Sequence, residues 1–343
     1  MNRLQVHFLV FALLGIATTI GCGDATGTIE LPLLETPKDF PAIITPKDNP
    51  YSPEKAELGR YLFYDTRFSA DYSVSCASCH QQQHAFSDGF NRVSKGFAGR
   101  TGTRNAMALT NIAYNTSFFW DGGVPTLEQQ AIAPIIHPDE MNMNTDTLVA
   151  RLQTEPRYRE LFRNAWNNEE ITLERITKSL ATFQRTLISS NAPYDRWRRG
   201  QTSAMTASAV RGNNLFFGEE GDCFHCHVSF NFTDNTFHNN GIDSVSVDEG
   251  RARVTNLGRD NGSFRTPTLR NIAVTPPYMH DGRFQTLEEV VRHYNSGGKL
   301  HPNRDPLMRP LGLSDQDITD IVAFLNALTD SVFISNPAFR NPW

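Results

Sequence analysis

The residues best able to do chemistry occur twice in one arrangement, as Cys76-Ala77-Ser78-Cys79-His80 and Cys223-Phe224-His225-Cys226-His227. Two thiols three residues apart can each bond a vinyl group of a haem, and a histidine directly after the second thiol then lies under the iron as its proximal ligand. A zinc site, a redox dithiol or a disulfide pair would also use paired cysteines. The pairs lie 147 residues apart (223 minus 76), however, whereas zinc ribbons keep theirs within tens of residues, and none of these uses needs His in that place. Two covalently attached haem c groups are therefore expected, bonded through Cys76, Cys79, Cys223 and Cys226, with His80 and His227 on the irons.

Such motifs need helices to hold them. Ser52-Pro53-Glu54 is a helix start with a capping Ser and Pro at the first helical position, and Leu58, Tyr61 and Leu62 follow on one face. Thr206 to Phe217 repeats that order before the second motif. Each half then closes on an amphipathic helix, one carrying Ile176, Leu180, Phe183 and Leu187, the other Ile318, Ile321, Val322, Leu325 and Leu328. Ser314 with Asp317 forms a capping box for the last. In between, residues 111–128 align without a gap on 271–288 at an offset of 160, with eight identities in eighteen positions. Internal duplication explains this, and the expected fold is all-α: two cytochrome c-type domains with one haem c each.

The differences between the halves carry the function. Thr126-x-x-Gln129 and Thr286-x-x-Glu289 both start a helix with a capping box. On the second helix Leu287, Val290 and Tyr294 share a face; the same face of the first carries Leu127, Gln130 and Pro134. A phenol oxygen can ligate iron and proline cannot. With that face over the haem, Tyr294 closes the second iron and Pro134 leaves the first open. Met308, in a Pro-rich loop before the final helix, competes with Tyr294 for the second iron. At the first, Gln130 and Asp139 or Glu140 are the polar groups in reach, and His84 or His137 are the side chains that would close it. Trp120 aligns with His280 and is placed to relay electrons between haems across the domain junction.

Composition bounds the setting. The chain of 343 residues has formal net charge -5 and is long enough for two domains. Arg3 followed by an apolar run from Phe8 to Ala17 gives residues 1–21 the pattern of a secretory signal, too short to span a membrane. Without Arg3 the charge becomes -6 (-5 minus 1), so nucleic acid is not an expected partner. Four of the five cysteines belong to the motifs; the fifth, Cys22, follows Thr19-Ile20-Gly21 as a lipoprotein cleavage site would, which makes a lipid anchor the only expected membrane contact. The expected organisation is a tether over 22–50, an N-terminal domain over 51–200, a C-terminal domain over 201–335 and a tail over 336–343.

In these motifs the chain resembles the bacterial di-haem cytochrome c peroxidase family, most closely its MauG-like branch. The resemblance spans about residues 45–330 and rests on Cys-Ala-Ser-Cys-His, Arg104-Asn105-Ala106, Phe119-Trp120-Asp121-Gly122, Leu127-Glu128-x-Gln130-Ala131, Pro138-x-Glu140-Met141, the second Cys-x-x-Cys-His, Arg270-Asn271-Ile272-Ala273, Pro277-Tyr278-Met279-His280-Asp281-Gly282 and Tyr294. It implies a peroxide site at the haem of His80 with Gln130, Pro134 and Glu140 in its distal pocket, a bridging Trp120, and a second haem held by His227 and Tyr294. It also implies one calcium ion at the domain junction, bound by Asn105 and the carbonyls of Thr275 and Pro277, oxygen ligands that suit calcium. Two features depart from the better-known peroxidases. No His lies between Phe90 and Thr103, where they carry a removable distal ligand, and Tyr294 stands where they have Met.

The activity implied is a periplasmic oxidoreductase that reduces hydrogen peroxide and oxidises a donor. The donor is a small cytochrome or copper protein, or, as in the MauG-like branch, aromatic side chains of a partner protein. The alternative is a di-haem electron carrier without chemistry of its own.

Overall fold

The computed structural model describes residues 34–343; the expected signal segment and Cys22 lie outside them. Twelve α-helices follow in order: α1 (Pro53–Phe63), α2 (Cys76–Cys79), α3 (Leu127–Ile136), α4 (Thr145–Gln153), α5 (Pro156–Trp166), α6 (Leu173–Arg185), α7 (Pro193–Arg198), α8 (Ala207–Phe216), α9 (Ala252–Thr255), α10 (Leu287–Asn295), α11 (Asp315–Asn326) and α12 (Ser331–Ser335). The only sheet among the described residues pairs β1 (Phe237–His238) with β2 (Phe264–Arg265), antiparallel. The fold is thus the expected all-α pair of cytochrome c-type domains.

Helix starts follow local chemistry. Ser52 accepts from Lys55 N at 3.2 Å with Pro53 next in line, Thr206 accepts from Ala209 N, and Ser314 with Asp317 completes a reciprocal box. Thr126 caps α3 through Gln129 N alone, whereas Thr286 and Glu289 close the full box on α10. In each half the opening and closing helices cross at a glycine. Gly59 of α1 lies against Ser179 O of α6, and Gly212 of α8 against Asp320 O of α11, with no space for a Cβ at either.

The duplication extends to the backbone. Asn111 and Asn271 (φ 55° and 62°), Phe119 and Met279 (67° and 75°), and Gly122 and Gly282 (67° and 65°) share left-handed conformations, and the bridges Phe118–Val124 and Tyr278–Phe284 repeat at the same offset. The two asparagines also knit the halves together. Asn111 Oδ1 accepts from Ser189 N and Asn271 Oδ1 from Asp330 N, both at 2.7 Å; Asn271 Nδ2 reaches Ser189 Oγ, and Asp330 accepts from Ser189, Ser190 and Asn191. Fully buried side-chain and backbone groups are thereby paired at the junction, as burial demands.

Packing crosses three of the expected boundaries. Residues 336–343 are no loose tail, because Phe339, with Phe333 of α12, fills the first domain's core, and Tyr64 Oη donates to Phe339 O at 2.6 Å. Burying two phenylalanines there contributes roughly 2–3 kcal/mol each. Tyr194 of α7, before the expected division at 200, packs in the second domain's core with Phe232 and Phe324. The segment before α1 is tied down as well. Phe40 packs on Phe230 and under the Arg270 guanidinium, and Asn49 donates to Glu128 and to Lys178 O. No apolar period announced these contacts, since each uses one isolated residue.

Candidate haem centres and the junction between them

Both motifs present their histidine in the same way. His80 N bonds Cys76 O and His227 N bonds Cys223 O, each at 3.0 Å, closing a turn that gathers two sulfurs and one imidazole. His80 Nδ1 lies 2.7 Å from Phe86 O and His227 Nδ1 2.9 Å from Phe232 O. Those carbonyls are aimed by left-handed residues, Phe86 at φ 61° and Phe232 at 52°. With Nδ1–H donated to a carbonyl, Nε2 is the free ligating nitrogen, and burial lowers the pKa of both rings, keeping them neutral. Burial pushes the thiols of Cys76 and Cys223 up to about 12 and that of Cys79 to about 11, and none of the four motif cysteines is in a disulfide. Protonated, unpaired thiols are the opposite of a reactive redox dithiol. The two phenylalanine carbonyls had no signal in the sequence, because a backbone group serves there.

A cavity partly open to solvent adjoins the second motif. Cys223, Cys226 and His227 line it together with Leu287, Val290 and Tyr294 of α10, so the helical phase inferred for that face is the observed one. Burial pushes the Tyr294 phenol up to about 12, and Cys226 and Cys223 are close enough to raise it further. Its hydroxyl has one long contact, from Asn240 Nδ2 at 3.4 Å. Met308 lines the same cavity from a turn in which its N–H donates to Asp305 O at 3.0 Å. His238 ties that turn to the motif, its Nδ1 2.6 Å from Asp305 Oδ2 and its Nε2 2.8 Å from Asp234 Oδ2. Asp234 foremost, then Cys226 and Asp305, raise its pKa to about 11. Two unpaired thiols, a neutral imidazole with Nε2 left to ligate, and apolar walls fit a covalent haem.

At the first motif, Glu140 is near enough to Cys76 and Cys79 to raise both thiols. Its side chain is 53% exposed, yet the surrounding protein raises its carboxyl above the usual range by desolvation, and Asp139 adds to the shift while His137 opposes it. Gln130 and Pro134 stand one turn apart on α3, both half-buried. Of the histidines that would close this centre, His84 has its Nδ1 3.2 Å from Val274 O of the second domain and its ring on Phe90. His137 accepts from Asp139 N and faces Glu140 at the surface.

Trp120 and His280 meet at the junction through one peptide. Trp120 Nε1 donates to Asn105 O at 2.8 Å, and Asn105 N donates to His280 O at 2.7 Å. Trp120 lines the second-motif cavity, as do Met107 and Ser87, which directly follows the carbonyl that holds His80. His280 is stacked on Phe264 with 3.7 Å between ring centroids. Asn105, Thr275 and Pro277 are among the residues lining this cavity, and Asn105 Nδ2 donates to Asn91 O and Arg92 O. Arg104 spans the junction, donating to Asp121 at 2.6 Å and to Asp248 at 2.7 Å.

Known proteins share this arrangement. Residues 53–203 match the model of a family described as di-haem cytochrome c peroxidase, and 209–329 match that of cytochrome c. The chain is 44% identical over 286 residues to the methylamine utilization protein MauG of Methylorubrum extorquens, covering 82% of this chain and 80% of that one. It is 33% identical to the cytochrome c551 peroxidase of Nitrosomonas europaea, covering 85% and 84%. A crystal structure of a MauG-like protein associated with microbial copper homeostasis superposes with a TM-score of 0.85 at 35% identity, over 90% of this chain and 99% of that one.

Proposed function

The chain belongs to the di-haem cytochrome c peroxidase and MauG family, and from that premise we propose that it reduces hydrogen peroxide at the centre of His80 and oxidises a donor through the centre of His227. The haem irons supply peroxide binding and redox capacity; the chain's residues decide which iron is reached. Asymmetry between α3 and α10 carries the reading, since Tyr294 reaches the second cavity while the aligned position of α3 holds Pro134, which cannot ligate.

Glu140, with a raised pKa beside the first thiols, moves the proton between the two peroxide oxygens, and Gln130 orients them. Trp120 relays electrons across the junction, its indole N–H fixed on Asn105 O. His227 and Tyr294 would ligate the second iron, where a phenolate would favour the oxidised form. Asn105 and the carbonyls of Thr275 and Pro277 would hold a calcium ion, oxygen donors being suited to it. The donor is a small electron-transfer protein or aromatic side chains of a partner, met in the periplasm by a chain anchored through lipidated Cys22.

The ferric spectrum of the purified protein tests this. One high-spin and one low-spin haem are expected, with peroxide changing the spectrum of both. Two low-spin haems unreactive to peroxide would leave a simple electron carrier.

A further inference from the structure

Among the described residues four arginines are buried: Arg60, Arg185, Arg265 and Arg270. A guanidinium stays charged in proteins, so burial without a counter-charge is costly. Three have one. Arg60 pairs with Glu57, Arg185 with Glu128 and Arg270 with Asp195. Arg265, only 4% exposed, has no carboxylate at all. Its Nε has no hydrogen-bond partner, and its Nη2 touches only the weak acceptor Met107 Sδ at 3.6 Å. Burial alone, unopposed by any acid, lowers its pKa to about 10. The side chain forms part of the wall of the second-motif cavity.

A chain that pairs its other buried arginines places this one where the missing anion must come from the cavity's occupant. We propose that Arg265 binds a carboxylate of the haem attached at Cys223 and Cys226, with its planar fork taking both oxygens. The inference rests on a haem filling that cavity. Arg265 also ties the occupant to the junction, because its backbone N–H donates to Trp120 O at 2.8 Å and its neighbour Phe264 carries the His280 ring. A haem carboxylate held there is fixed relative to Trp120 by one residue.

The test compares wild type with Arg265→Gln and Arg265→Lys as holoproteins. Intact mass is read first: two covalent haems in wild type establish the occupant independently of Arg265, and their lack would remove the haem assignment itself. Resonance Raman bands of the haem carboxylates and the potential of each haem are then recorded. In Arg265→Gln, the second haem's carboxylate bending band shifts to lower wavenumber and its potential falls, since an uncompensated carboxylate favours ferric iron. Arg265→Lys keeps the charge, so the potential stays close to wild type while the band still shifts as the fork geometry is lost. If Arg265→Gln does not fold, the Lys band decides alone. An unmoved band at the second haem, or a shift confined to the first, overturns the proposal.

Discussion

At the residue scale, the second centre poses the sharpest choice, because Tyr294 and Met308 line one cavity. Tyr294 is fixed by the core packing of α10, whereas Met308 hangs on a turn held by Asp305 and His238. Tyr294→Phe should therefore open the second iron, seen as new high-spin ferric signal and a raised reduction potential, while Met308→Leu should leave both unchanged. The reverse pattern would transfer the ligand role to Met308. Glu140→Gln should lower peroxide kcat/KM by about 10²–10⁴-fold at unchanged haem content, the usual worth of a positioned acid–base group. Desolvation raises the Glu140 pKa, so its carboxyl stays protonated to higher pH than the ordinary value of about 4.3. The wild-type pH profile should show that ionisation above about 4.3, and the Gln variant should lose it.

At the element scale, the repeated glycine crossings and asparagine clasps set the stability. Gly212→Val would force α8 away from Asp320 O and separate the second domain's paired helices. Asn271→Ala would strand the buried Asp330 N–H, at about 1–3 kcal/mol for the group left unpaired, and would remove one donor to Ser189 Oγ, which still donates to Asp330. A lowered urea midpoint, with haem still attached, is the expected result for both. Much of this level was legible in the sequence. The motifs, the capping residues at 52, 206, 286 and 314, the helical phase of Tyr294 and the offset of 160 all express short-range rules of spacing. The junction was not, because Asn111 with Ser189 and Asn271 with Asp330 are contacts between residues far apart in the chain, and no periodicity links them. Arg265 was equally silent, for its meaning lies in the partner it lacks.

At the scale of the whole molecule, Arg104 holds the halves together through Asp121 and Asp248. Burial alone would raise the Asp248 pKa, but the Arg104 hydrogen bond outweighs it and draws it down to about 2. A depressed carboxyl pKa stabilises fully above its unfolded value, about 3.9, and loses that contribution as pH falls through the folded value. The junction should thus loosen between about pH 4 and about pH 2, read as a rise in radius of gyration by X-ray scattering, and Asp248→Asn should be loosened already at neutral pH. The core of the first domain has a different dependency. Phe333 and Phe339 lie beyond the entire second domain in sequence, yet they complete the first. During vectorial synthesis, the segment that appears first must wait, with its hydrophobic floor unfinished, until residues some 270 positions after Phe63 (333 minus 63) have emerged. The core of the earlier half therefore cannot be completed before the end of the chain has been made.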